Sequence, residues 1–345
     1  MSARGKKKSR KGLLVILFLI AVGIAFVTYK VFGPNTGSFT HGDYLYVHTG
    51  SDYEALKKDL EDGGFVSDMS SFDFIAKRLG LPAHIHAGKY KIGKMMSNYR
   101  LIRLLHSGKQ TPVKLVINKL RTPQDFITLI STNLEADSGA MRQLLHNADF
   151  LSNYDLDTST AMCAIMPDTY EFFWNTNPEQ AFKKIARKYN TFWTDDRIEL
   201  AKAHGISKAQ ATIVASIVEE ETNIPADKGN IASVYLNRVR NGMKLQADPT
   251  VKYAVGDFTI RRIAGTMLDN PSPYNTYKYA GLPPGPICTP PASTIDAVLN
   301  SPATTYLYFC ADADFSGKST FASTYDEQLK NARAYQKALD SRGIH

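Results

Sequence analysis

The chain has 345 residues and a formal net charge of +8, yet six of those positive charges fall within the first 11 residues. The rest is nearly balanced, so its charge gives no case for nucleic acid as a partner. Cys163, Cys288 and Cys310 and the eight histidines, His41 and His345 included, lack metal-ligand spacing; neither a metal nor a cofactor is expected, and the cysteines read as buried free thiols.

Arg4, Lys6, Lys7, Lys8, Arg10 and Lys11 form a basic head (residues 1–12), and residues 13–33 are apolar apart from Lys30. That run approaches the ~20 residues that cross a bilayer, and no small-x-small cleavage site follows it. The expectation is a retained single-span anchor in the cell (inner) membrane, with the head cytoplasmic and the remainder outside the cytoplasm. Residues 33–42 read as a short polar spacer.

The remaining ~310 residues exceed a usual single core, so two folded units are expected. The first, residues 43–117, reads as an α+β module. A strand at Tyr44–Val47 precedes helices from Asp52 to Gly63 and from Ser70 to Leu79; a strand at Gly88–Ile92, a helix at Asn98–Leu105 and a strand at Pro112–Ile117 follow. Its strand-helix-helix-strand start resembles LysM-like glycan-binding modules.

Residues 122–202 read as mostly helical, interrupted by a turn-rich loop at Met166–Tyr170. A helix over 207–222 follows, with Ile213, Val214, Ile217 and Val218 at the offsets of one apolar stripe. Of its three consecutive glutamates, Glu221 falls near the centre of that stripe, Glu220 at its edge and Glu219 opposite. A carboxyl group poorly reached by water keeps its proton toward neutral pH and can serve as a general acid. The alternative is that the helix frays at Asn223-Ile224-Pro225 and leaves Glu221 in solvent. A second helix spans Ala226–Arg240. Past Gln246 helix signals thin; Gly281–Pro291 must be a stiff loop, Tyr306–Cys310 a buried-type strand beside Thr320–Ala322, and Tyr325–Leu339 a closing helix.

Five ordered motifs, Ile217-Val-Glu-Glu-Glu-Thr222, Ala232-Ser-Val-Tyr-Leu-Asn-Arg238, Gly242-Met-Lys-Leu-Gln-Ala-Asp-Pro-Thr250, Pro273-Tyr-Asn-Thr-Tyr277 and Gly281-Leu-Pro-Pro-Gly285, resemble the endolytic murein transglycosylase (YceG-like) family. With Gly88–Ile92 and Pro167–Tyr170 the resemblance covers nearly the whole chain. It implies an α+β fold with residues 118–345 as the catalytic domain. It also implies a peptidoglycan lytic transglycosylase, a carbon–oxygen lyase that cuts the MurNAc–GlcNAc bond within nascent strands, leaves 1,6-anhydro-MurNAc ends and terminates glycan elongation. The family's acid falls on Glu221, and the synthases of the growth machinery become candidate partners.

One glutamate suffices for this reaction, whereas hydrolysis needs a second carboxylate. Asp248 is open to two readings, holding its loop or doing chemistry. Asn237, Gln246, Tyr274, Asn275 and Tyr277 offer amides and phenols for acetamido sugars, although Asn237 and Asn275 could equally satisfy backbone groups. Gly281 and Pro284 are expected to shape one wall of the groove. Where relatives tend to have an acidic residue and Gly, this chain has Asn118-Lys119. A muramidase and a wall-binding scaffold are the competing functions.

Overall fold

The computed structural model describes residues 5–37, 39–40 and 42–342, with side chains from residue 11 onward. Arg4, His41 and His345 therefore lie outside the described residues. The chain divides into two compact units. The first comprises the residues up to Val113 with 133–135 and 171–176; the second comprises 114–132, 136–170 and 177 to the end.

Unit 1 begins with helix α1 (Gly5–Phe32), whose Lys11–Phe32 portion is long and apolar enough to cross a membrane. Strand β1 (Tyr44–Val47) leads into α2 (Tyr53–Asp62), α3 (Met69–Arg78), β2 (Gly88–Lys91) and α4 (Asn98–Ser107). Asp52, Asp68 and Ser97 each accept a backbone N–H as side-chain N-caps, which is why α2, α3 and α4 start where they do. β1 and β2 pair antiparallel, Tyr44 opposite Lys91 and Val47 opposite Gly88. Leu45, Leu56, Leu60, Phe72, Tyr90 and Leu101 fill the core between them.

Residues 34–36, which read as the start of a spacer, are pinned. Pro34 bridges to Ser97 and Thr36 to Val66. The buried Asn35 amide donates to Asn98 Oδ1 (2.7 Å) and to the Asp68 carbonyl, and accepts from the Asp68 N–H (2.8 Å). Asn98 donates in turn to the Lys30 carbonyl, and Lys30 pairs with Asp68 at 2.7 Å. Asn35 and Thr36 look like linker in sequence, but each is held by a specific partner.

Next come β3 (Val113–Ile117), α5 (Pro123–Asn133), α6 (Ser138–Leu145), α7 (Ala148–Ser152), β4 (Asp168–Phe172), α8 (Pro178–Phe192) and α9 (Asp195–Ala203). β4 replaces the loop expected at Met166–Tyr170, and β3 pairs with β4 instead of joining the β1–β2 sheet. The chain continues through α10 (Lys208–Glu221), α11 (Pro225–Arg240), α12 (Asp248–Val255), α13 (Ala292–Leu299), β5 (Tyr308–Ala311), β6 (Ser319–Ala322) and α14 (Tyr325–Ser341). β5 and β6 form an antiparallel hairpin, half-buried instead of deeply buried.

Helices α12 and α13 are the elements least visible in sequence. Proline, which reads as a breaker, sits in the first turn of α12 and just before α13, positions where its missing N–H costs nothing.

Helices α10, α11 and α13 pack on one another around Val214, Ile217, Val218, Ile231, Val234, Ile295 and Val298. Ser207 and Gln210 form a capping box at the start of α10. Residues 211–218 are then buried without interruption, Thr212 and Ser216 included, so α10 is enclosed on every side and not striped. Those hydroxyls donate to the Lys208 and Ile213 carbonyls, and Ser216 also accepts from the Ile287 N–H. Of the cysteines, all free, Cys163 and Cys288 are buried and Cys310 is half-buried.

The proline-rich loop lies against α10 and the 118–120 segment: Thr289 N–H donates to the Leu120 carbonyl, and Leu120 N–H to Thr289 Oγ1. A Cβ on Gly285 would stand 2.0 Å from the Ser159 carbonyl oxygen and 2.9 Å from the Tyr274 hydroxyl. Gly285→Ala should therefore destabilise the protein by about 1–3 kcal/mol, the usual range for overpacking. Gly281, which has open space but a φ of +86°, should cost less when changed to Ala. Denaturant melts of both variants check the order.

Candidate active site

Three negative charges at the C-terminal end of α10 oppose the helix dipole, and the enclosure of the helix denies them free solvation. The structure answers this differently for each glutamate. Glu219 Oε2 lies 2.5 Å from Lys228 Nζ on α11 and also accepts from Thr294 Oγ1 on α13. Glu220 pairs with Lys119 Nζ at 2.8 Å and Arg121 Nη2 at 3.1 Å. Burial would raise its pKa, but the two cations outweigh burial and hold it below the ordinary range. The expectation that Glu219 faces away from the interior is thus corrected: both flanking carboxylates are enclosed and neutralised. Asn118-Lys119, the departure noted in the sequence, supplies one of the cations.

Glu221 instead accepts a 2.5 Å hydrogen bond from the Tyr235 hydroxyl. Burial pushes its pKa up to about 7, the Tyr235 hydrogen bond pulls against that, Asp248 and Glu220 add to the rise, and Lys252 draws it down. The helix does not fray before it, since the Thr222 N–H still donates to the Val218 carbonyl. The phenol of Tyr235 is pushed far above its usual range, first by burial and then by the neighbouring carboxylate.

Glu221 opens into a groove of about 340 Å³ lined by Tyr235, Arg238, Leu245, Gln246, Asp248, Tyr277, Tyr308, Phe309 and Gln328. Tyr277 donates to Asp248 Oδ1 at 2.6 Å. Gln246 holds a left-handed backbone conformation (φ 53°), and its N–H donates to the Thr276 carbonyl, fixing the approach to α12. Arg238 is buried; Nε donates to the Leu307 carbonyl (2.7 Å) and Nη1 to the Leu245 carbonyl (2.8 Å). Gln328 Nε2 donates to the Phe309 carbonyl, while its Oε1 is buried without a partner.

The structure therefore brings Glu221, Gln246, Asp248 and Tyr277 together and places five other candidates elsewhere. The Asn237 amide donates to the Thr304 and Tyr306 carbonyls and its oxygen accepts from Arg240. Asn275, fully buried, donates to the Leu268 and Asn270 carbonyls and accepts from the Tyr277 N–H. Both amides are spent on the protein's own backbone, so they position segments and do not face the groove. Tyr274 packs on Tyr253 with ring centroids 4.6 Å apart. Gly281 and Pro284 line a different cleft, of about 870 Å³, with Asp157, Ser207 and Gln210.

Sequence reading passed over Tyr235, Arg238, Tyr308, Phe309 and Gln328. Tyr235 carried a usable signal: a phenol on the apolar side of a helix must find a buried partner for its hydroxyl. The others come from segments up to about a hundred residues apart, and nothing local marks them.

The family model described as the YceG-like family matches residues 45–334. An endolytic murein transglycosylase of Bacillus subtilis (strain 168) is 37% identical over 172 residues, covering 50% of this chain and 47% of that protein. The endolytic murein transglycosylase of Streptococcus pneumoniae serotype 2 (strain D39) is 25% identical over 320 residues, covering 82% of this chain and 56% of that one. The chain thus spans about half the length of these curated relatives. A crystal structure of a YceG-like protein from Listeria monocytogenes aligns with a TM-score of 0.54 at 27% identity, covering 83% of this chain and 97% of that one. Since the family match runs through both units and takes in every residue that lines the Glu221 groove, the chain belongs to the YceG-like family.

Proposed function

We propose that this chain is a membrane-anchored lytic transglycosylase acting within peptidoglycan strands, with Glu221 as its acid. The observation that carries this reading is the contrast among three adjacent carboxylates, of which Glu221 alone meets a groove with a raised pKa and a phenol partner in place of a cation. Protonated Glu221 donates its proton to the oxygen leaving C1 of MurNAc as the C1–O bond breaks. The 6-hydroxyl of the same sugar then bonds to C1, and the Glu221 carboxylate takes that hydroxyl's proton, which restores the acid without consuming water. Tyr235 supports the ionised interval by donating to the carboxylate. Gln328 Oε1 is suited to accept from the N–H of an acetamido group, and Tyr308 and Phe309 to stack on sugar faces.

Asp248 in the same groove favours a second reading, a muramidase in which a second carboxylate activates water. Product ends separate the two: 1,6-anhydro-MurNAc for the lyase and reducing ends for the hydrolase. Glu221→Gln should lower kcat by about 10²–10⁴-fold or more, and cells carrying it should build longer strands if the enzyme terminates elongation beside the synthases. Glu219→Gln and Glu220→Gln each break an ion pair, so they should lower thermal stability more than they lower kcat per folded molecule. Equal kinetic damage from all three with folding intact would remove the single-acid assignment. Gln328→Ala should act mainly on KM.

The raised pKa sets the direction of the pH profile. Glu221 must begin protonated, so kcat/KM should hold below about pH 7 and fall roughly tenfold per pH unit above it. Tyr235→Phe removes the hydrogen bond that pulls the pKa down, and should move this limb to higher pH while Asp248, Lys252 and Glu220 stay in place. A limb that does not move, or moves down, would contradict the assignment.

The antiparallel β1–β2 pair spanned by α2 and α3 supports a LysM-like role for unit 1, holding glycan without doing chemistry. The basic head and the apolar length of α1 support a cytoplasmic N-terminus with the rest of the chain across the inner membrane. Protease added to intact spheroplasts should digest the chain beyond Phe32; complete protection would refute this topology.

A further inference from the structure

A second cleft adjoins the groove around the end of α10. Glu221 and Asp248 line the groove, while their chain neighbours Glu220 and Pro249 line the cleft together with Arg121, Lys252, Phe258 and Ile287. Its volume is about 140 Å³, roughly the space of four or five water molecules in the liquid, which suits a small charged group.

The charges around it do not balance. Lys119, Arg121 and Lys252 bring three cations against Glu220, the one carboxylate in the cleft's lining, while Asp248 lines the adjoining groove and accepts from Tyr277. Asp125 stands nearby, but its Oδ2 is engaged by the N–H groups of Arg121 and Thr122 at 3.1 and 2.8 Å. Arg121 is held in place from two directions, by Glu220 through Nη2 and by the Phe258 ring 4.9 Å from its guanidinium carbon. Its Nε is buried with no hydrogen-bond partner. That single buried N–H lacks an acceptor, which is costly even though the guanidinium is paired through Nη2, and an entering anion would satisfy it.

We propose that this cleft is an anion subsite that takes a carboxylate of the peptide stem carried by the strand being cut. The proposal rests on the peptidoglycan reading above and names the part of the substrate beyond the sugars. In such strands the stem hangs from the lactyl ether of every MurNAc, the sugar whose C1 would face Glu221. An anionic arm therefore lies on the same residue as the scissile bond. Lys252 is close enough to Glu221 to influence its ionisation, so the cleft and the acid are within electrostatic reach of each other.

The test uses full-length protein carrying Glu221→Gln in detergent, which slows turnover enough to measure binding. The probes are a glycan tetramer bearing peptide stems and the same tetramer with its stem carboxylates amidated. The acid form should bind about 5–20-fold more tightly at low salt, the range for a charge-assisted contact at a partly exposed site, and the gap should narrow as salt is raised. Adding Lys252→Gln, which leaves the Glu220 ion pairs intact, should shrink the gap to near unity by weakening the acid form alone, and Lys252→Arg should restore it. Arg121→Gln should act likewise, provided circular dichroism shows the fold intact. No preference for the acid form, or a Lys252→Gln loss equal for both tetramers, would overturn the proposal. Failure of the lyase reading would show separately, as an absence of anhydro ends from digests by unaltered enzyme.

Discussion

Ending an enclosed helix on three consecutive glutamates creates an electrostatic problem that the surrounding elements are arranged to solve. The charges sit at the negative end of the α10 dipole, where burial on all sides of residues 211–218 leaves them little water. Lys228 from α11, Thr294 from α13 and the Lys119–Arg121 segment converge on the first two. The third is left with a phenol. Burial is what lifts the Glu221 pKa to about 7, and a Glu220 stripped of its cations would add to that rise.

The same helix bundle holds the far wall of the groove. Helix α11 presents Tyr235 to Glu221 on one side, and on others it staples the C-terminal hairpin. Asn237 and Arg238 hold the Thr304, Tyr306 and Leu307 carbonyls, Ser233 bonds to Thr304, and the buried Asp227 accepts from the Ser319 N–H at 2.6 Å. Tyr308 and Phe309 are thereby fixed in the groove with Glu221, and Gln328 of α14 is fixed through Phe309. The polar side chains of α11 thus mostly hold other segments in place, and of them Tyr235 and Arg238 line the groove.

Most elements with a cap and a period were legible in sequence. Asp52 and Ser207 open the periods of α2 and α10, the closing helix expected from Tyr325 is α14, and the strands β1, β2 and β6 fall within a residue of where they were expected. The enclosed position of Glu221 was legible too, because helical spacing places it below Ile217 and Val218. The fates of Glu219 and Glu220 were not, since periodicity tells which way a side chain points and not what stands there. The amides of Asn237 and Asn275 were ambiguous for a related reason: the same group serves a sugar or a carbonyl, and only the fold decides. Helices that open on proline, such as α12, hide behind a residue that usually signals their absence.

The pinned exit from α1 changes what kind of machine the N-terminal unit can be. A free ten-residue tether would let its ends wander by roughly 16–19 Å, and a domain on such a leash samples many heights and tilts. Here Asn35 and Asn98 lock the chain to Lys30 and Asp68 within a few residues of the last apolar turn. When α1 sits in a bilayer, unit 1 stands on it as a post set in a socket, at one height above the headgroups. Any roll or tilt of α1 there would pass to the module directly, with no slack to absorb it.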